Sequence, residues 1–176
     1  ATDSGGMRSS LYAEFNNNKA PGATIVVSNI IQTATVPAGF YDGYDMVIFG
    51  GANMAADGDP SQAHWDALKT AILNKTSKSF IIQADNCCLT TQKANLVNLL
   101  NEVYGSNYTV SSGSASGTET FTLNSNNAYA SKFTTSSLSG SIYYPVLNVP
   151  TEDVLFYSPQ IAGSAVAGLK QLPGAT

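Results

Sequence analysis

Two short apolar runs separated by one amphipathic helix set the strongest limit on how this chain can fold. Tyr44 to Phe49 and Ser79 to Gln83 are strand-length, and between them Trp65, Leu68 and Ile72 fall on one helical stripe. Pro60-Ser61 opens that helix, which runs to about Asn74. Strands joined through a helix are expected to lie parallel, because a hairpin needs only a few connecting residues. Thr24 to Ser28 reads as an earlier strand, and it and Tyr44 to Phe49 both look covered on two faces. A first helix is expected over residues 4–16, with Ser4 as cap and Met7, Leu11 and Phe15 on one face. The Asn16-Asn17-Asn18 run and Pro21-Gly22 should stop it. After Asp85-Asn86-Cys87-Cys88, Thr90 or Thr91 can cap a helix through Tyr104. Its apolar face is Leu96, Leu100 and Val103, flanked by Val97 and Leu99.

The pattern then changes. From Ser106 to Ser141, 17 of 36 residues are Ser or Thr, and Thr118 to Leu123 alternates as an exposed hairpin strand would. Ile142 to Leu147 and Val154 to Tyr157 are further strand candidates, separated by Pro150, and Ile161 to Thr176 reads as a short strand or a linker. The expected organisation is one α/β domain: a βαβ core over 1–105, a Ser/Thr-rich β extension over 106–160 and a tail over 161–176. Such a sheet usually begins with a strand, whereas this chain begins with the helix that would follow it. A returning C-terminal segment, a missing preceding piece or a neighbouring copy could each supply that strand.

Only 20 of 176 residues are charged, 12 acidic and 8 basic, and Arg8 is the single arginine. A net charge of −4 with no basic cluster argues against nucleic acid, whose binding displaces counterions through a basic surface. No apolar run approaches the roughly 20 residues that cross a bilayer. Solubility rests on 20 Ser, 16 Thr and 15 Asn, a balance that suits an extracellular or cell-surface address. The sequons Asn74-Lys75-Thr76 and Asn107-Tyr108-Thr109 are compatible with that address, but a chain rich in Asn and Thr produces such triplets by chance. Cys87 and Cys88 are neighbours and close no loop. A vicinal disulfide between them would be strained, since adjacent Cα atoms lie about 3.8 Å apart, below the usual span of about 4.4 Å.

From Tyr44 to Gln92 the chain resembles the class I glutamine amidotransferase-like family. The first matching piece is Tyr44-Asp45-Met46-Val47-Ile48-Phe49-Gly50-Gly51; the second is Phe80-Ile81-Ile82-Gln83 leading to Cys88-Leu89-Thr90-Thr91-Gln92. The resemblance implies a three-layer α/β fold with a mainly parallel, flavodoxin-like sheet, carrying here an antiparallel β extension in its second half. It also implies Cys88 as nucleophile on a strand-to-helix turn, with Gly50 and Gly51 as an oxyanion or ligand loop. A cysteine at a helix N-terminus is biased toward thiolate, and a Gly-Gly loop exposes backbone amides to a ligand. The chain departs from the pattern in two places. Cys87 and Thr90 stand where the turn has glycine, and no His follows position 64 to act as base.

His64 or Asp85 is then the improvised base of any enzyme, although His64, beside Trp65 at a helix start, reads first as a surface or capping residue. Asp57-Gly58-Asp59 lacks the further carboxylates of a calcium loop, so no metal and no cofactor are expected. Tyr143, Tyr144, Phe156 and Tyr157 read as core strand faces rather than a sugar-stacking platform. The preferred function is a non-catalytic binding or assembly module, taking an unknown small molecule, glycan or protein and able to self-assemble. The alternatives are a cysteine-dependent amidohydrolase or amidotransferase-like enzyme, and a structural subunit of an extracellular filament or coat.

Overall fold

The computed structural model describes residues 7–25, 35–49, 60–82, 91–113, 117–140 and 145–174. The chain forms two compact units, Ala1–Gln92 and Lys93–Thr176. In the first unit, helix α1 spans Met7–Asn18, strand β1 Met46–Phe49, helix α2 Gln62–Asn74 and strand β2 Ser79–Ile82. Helix α1 runs through the asparagines expected to stop it. Asn18 Nδ2 donates back to the Glu14 carbonyl and to Glu14 Oε1, both at 2.9 Å, so its amide satisfies the last turn instead of opening it. Helix α2 buries the stripe read from the sequence, Trp65, Leu68 and Ile72, and ends on Lys75 in the left-handed region at φ 52°.

Strands β1 and β2 pair in parallel with Met46 opposite Ser79 and Phe49 opposite Ile82. They do not have two covered faces. Val47 and Phe49 are buried while Met46 and Ile48 are exposed, an alternation that marks a half-covered sheet. Among the described residues this sheet has no third strand. Part of the Thr24–Ser28 run lies outside the described residues, as does Ser4.

The second unit overturns the expected fold class. Helix α3, Thr91–Tyr104, leads into strands β3 (Thr109–Val110), β4 (Glu119–Leu123), β5 (Ser137–Gly140), β6 (Val146–Leu147), β7 (Val154–Tyr157), β8 (Ser164–Ala165) and β9 (Ala167–Gly168). They form a three-stranded sheet ordered β3-β6-β8 and a four-stranded sheet ordered β5-β4-β7-β9, antiparallel throughout. The molecule is therefore mainly antiparallel, not a three-layer, mainly parallel flavodoxin-like α/β fold. Among the described residues the connections between these strands hold turns and one short 3-10 segment, Ala130–Lys132, and no helix, and without a crossover helix a chain folds back antiparallel.

Two smaller expectations change with it. Strand β4 is interior, flanked by β5 and β7, and not an exposed hairpin arm. In the tail, expected as a short strand or a linker, β8 and β9 are short strands that join one sheet each. Helix α3 buries Val97 and Leu99 most deeply, whereas Leu96, Leu100 and Val103 are half-buried. The core of the four-stranded sheet is Phe121, Leu155 and Phe156, with Leu123, Ile161, Val166 and Ala167 packed against it.

Candidate functional site

Of the side chains singled out for chemistry, His64 lies within the described residues; Gly50, Gly51, Asp85, Cys87 and Cys88 lie outside them, as do Asp57-Gly58-Asp59, Tyr143 and Tyr144. His64 is not a surface or capping residue. It is the third residue of α2, only 1% exposed, and its Nδ1 lies 3.0 Å from the Tyr41 hydroxyl. The first turn of the helix is closed there by the amides of His64 and Trp65, which both donate to the Ser61 carbonyl, at 2.9 and 3.3 Å. Tyr41 is pinned from the other side, where the Ser77 hydroxyl donates to its carbonyl at 2.8 Å. Phe40 meets Tyr41 edge-on at 5.0 Å between ring centroids, and Phe49 at the end of β1 meets Trp65 at 4.7 Å.

Burial pushes the Tyr41 phenol well above the ordinary tyrosine range. The hydroxyl thus stays protonated, and the direction of its bond with Nδ1 follows the imidazole tautomer. His64 Nε2 and Trp65 Nε1 have no hydrogen-bond partner among the described residues. This is the packing of a structural histidine, held in one orientation by a phenol inside an aromatic cluster.

A raised tyrosine pKa has a fixed sign in linkage: the unfolded chain loses the proton first, so the stabilisation is full below pH 10.0 and falls as pH rises beyond it. Tyr41→Phe is expected to cost about 1 kcal/mol at neutral pH through the lost hydrogen bond. It should also flatten the alkaline fall in urea midpoint seen in the wild type. Identical alkaline profiles for the two proteins would count against this account.

The second unit holds a polar cluster that the sequence reading passed over. Glu119 begins β4, is 5% exposed, and both carboxylate oxygens lie within reach of the Ser158 hydroxyl, at 2.8 and 2.9 Å. The amide of Ser158, a residue 2% exposed, donates to the Ser164 hydroxyl oxygen at 3.1 Å, while that hydroxyl donates to the Ser158 carbonyl at 3.3 Å. A carboxylate against a serine hydroxyl is a base and nucleophile pairing in principle. Here both groups are enclosed, and the cluster fastens β4 to the end of β7 and the start of β8. The signal was present in the alternation itself: Glu119 shares its face with Phe121 and Leu123, so a strand burying those two must bury the carboxylate.

A second cluster closes the C-terminal segment. The Lys170 ammonium pairs with Asp153 and sits 5.1 Å from the centre of the Tyr104 ring at the end of α3. Partial burial works to lower the Lys170 pKa, but the Asp153 carboxylate and the Tyr108 hydroxyl outweigh it and hold it above the usual lysine range. Phe156 lies in the core as expected, whereas Tyr157 is exposed.

Among the described residues no group of three His, Cys, Asp or Glu is placed to hold a metal ion, and no helix is long and apolar enough to cross a membrane. Comparison of the chain with protein-family models, curated proteins and solved structures finds no match.

Proposed function

We propose that this chain is a non-catalytic binding or assembly module of the extracellular space or cell surface, and that it engages a protein partner. The observation that carries the reading is the open face of the β1–β2 pair. Helix α2 covers one side, where Phe49 packs on Trp65, while Met46, Ile48 and Ile81 on the other are 37% to 45% exposed, beside an equally open Tyr44. Parallel strands are normally covered on both faces, so an open apolar one is unusual and suits a contact surface. An exposed apolar strand pair favours a protein, since small ligands are taken into concave, buried sites. The exposed Asp45–Lys78 ion pair, 2.6 Å apart, lies at the start of both strands. The sparse charge and abundant hydroxyls of the chain support the extracellular address.

Iodoacetamide labelling of the native protein at pH 6, read beside hydrolysis of a panel of amide substrates, tests the non-catalytic part. Slow labelling and no hydrolysis are expected; fast modification of Cys88 with loss of a hydrolytic activity overturns the reading in favour of a cysteine enzyme. The contact face is tested by Ile48→Lys with Ile81→Lys, which should abolish bis-ANS binding to the folded protein and leave the melting temperature near the wild-type value. Undiminished dye binding would remove the face from consideration.

A further inference from the structure

The four-stranded sheet ends on β5, and several features of that edge point to one partner. The Leu123 amide donates to the Ser136 carbonyl at 2.9 Å, and the register continues through Phe121–Leu138 to Glu119–Gly140. Residues 136, 138 and 140 therefore bond inward to β4, and residues 137 and 139 turn their backbone groups outward. At Ser137 the outward groups are occupied: the Thr135 hydroxyl donates to its carbonyl at 2.6 Å and lies 3.4 Å from its amide. Ser139 has no such partner among the described residues, and it is exposed.

Edges are usually blunted by lysine, proline or a bulge. Here residues 133–151 carry no charge, β5 contains no proline, and its pairing with β4 is unbroken. Leu138 is 45% exposed, although it lies on the same face as the core residue Phe121, and among the described residues no strand pairs with β5 on its outer side.

We propose that β5 is a self-association edge, pairing antiparallel with β5 of a second copy of this chain about a twofold axis at Ser139. A twofold contact brings each residue near the axis against its own copy, so any charge there would repel itself; this segment has none. The register also fits. With Ser139 opposite Ser139 of the second copy, Leu138 lies opposite Gly140, on the same face of the sheet. Gly140 has no side chain, and the Phe121 ring lies 3.2 Å from where its Cβ would be, so the position offers an aromatic floor for an incoming leucine. The inference rests on the assembly reading above and gives it a named partner, but it uses a different surface.

A four-residue edge makes a small interface, so the dimer is weak, with Kd on the order of 100 µM. Sedimentation velocity over a concentration series should show the wild type moving from monomer to dimer and no further, and exchange of the Ser139 amide should slow with concentration. Ser139→Pro removes the outward N–H but no bond to β4, and Leu138→Lys replaces the apolar contact over Gly140 by a charge lying diagonal to the same lysine of the second copy. Both variants should remain monomeric at every concentration, with unchanged circular dichroism. A wild type that stays monomeric with concentration-independent exchange overturns the proposal, as does dimerisation undiminished in both variants. Mass that grows without limit overturns the twofold in favour of head-to-tail addition of β5 to β9. Ile48→Lys, on the β1–β2 face, should leave all of these readings unchanged, so the two surfaces fail or stand separately.

Discussion

Ser158→Ala is expected to destabilise the chain by about 3 kcal/mol, because it leaves the Glu119 carboxylate in the sheet without its hydroxyl donor. Both carboxylate oxygens depend on that one hydroxyl, at 2.8 and 2.9 Å, and the group is too enclosed for water to replace it fully. The cavity left by one oxygen is small, so nearly all of the loss is the uncompensated polar group. The double variant Glu119→Met with Ser158→Ala removes both partners and should recover most of the loss, since apolar replacement of a buried polar pair is often neutral. Urea unfolding followed by circular dichroism measures all three free energies. A double variant as unstable as Ser158→Ala alone would show that the carboxylate is not what the serine supports.

The second large effect is at Asn124. Its side chain donates to the Thr151 carbonyl at 2.7 Å and the Val154 carbonyl at 2.9 Å, and its Oδ1 accepts the Asn126 amide at 3.1 Å. Asn127 repeats the arrangement, donating to the Glu152 carbonyl at 2.8 Å and accepting the Tyr129 amide at 3.0 Å. These two amides join the turn after β4 to the turn before β7, across a stretch with few apolar side chains to hold it. Asn124→Ala loses three bonds and should cost about 3 kcal/mol at roughly 1 kcal/mol each. Asn124→Asp should cost more, because it keeps the shape but turns an oxygen toward two carbonyls that need a donor. If Asp proves milder than Ala in the same urea experiment, the donor role of the amide is wrong.

Much of the first unit could be read from the sequence because its information is local. The stripe Trp65, Leu68 and Ile72 repeats at helical spacing, and a helix that buries anything buries that stripe. The runs at β1 and β2, parted by that helix, appear as a parallel pair. The expectation that β1 is sandwiched failed for a reason outside the sequence: an apolar run looks the same whether one face or two are covered. His64 went astray similarly. A helix start is usually exposed, and the distant Phe40 and Tyr41, brought in by the turn before β1, help make this one an interior position.

In the second unit the sequence by itself determined that the strands are short, rich in hydroxyls and joined without helices, and hence antiparallel once each pairing is made. It also determined, through alternation along β4, that Glu119 shares a face with Phe121. Tertiary structure alone decided which strands meet. The order β5-β4-β7-β9 puts β4 in the interior, and the two-residue strands β8 and β9 carry too few side chains to announce their partners. Periodicity reports which way a side chain faces; the partner across the sheet depends on contacts between segments up to about forty residues apart, where no local pattern encodes the pairing. That is why Glu119 could be placed on a face from the sequence, while Ser158, 39 positions away, could be given to it only by the fold.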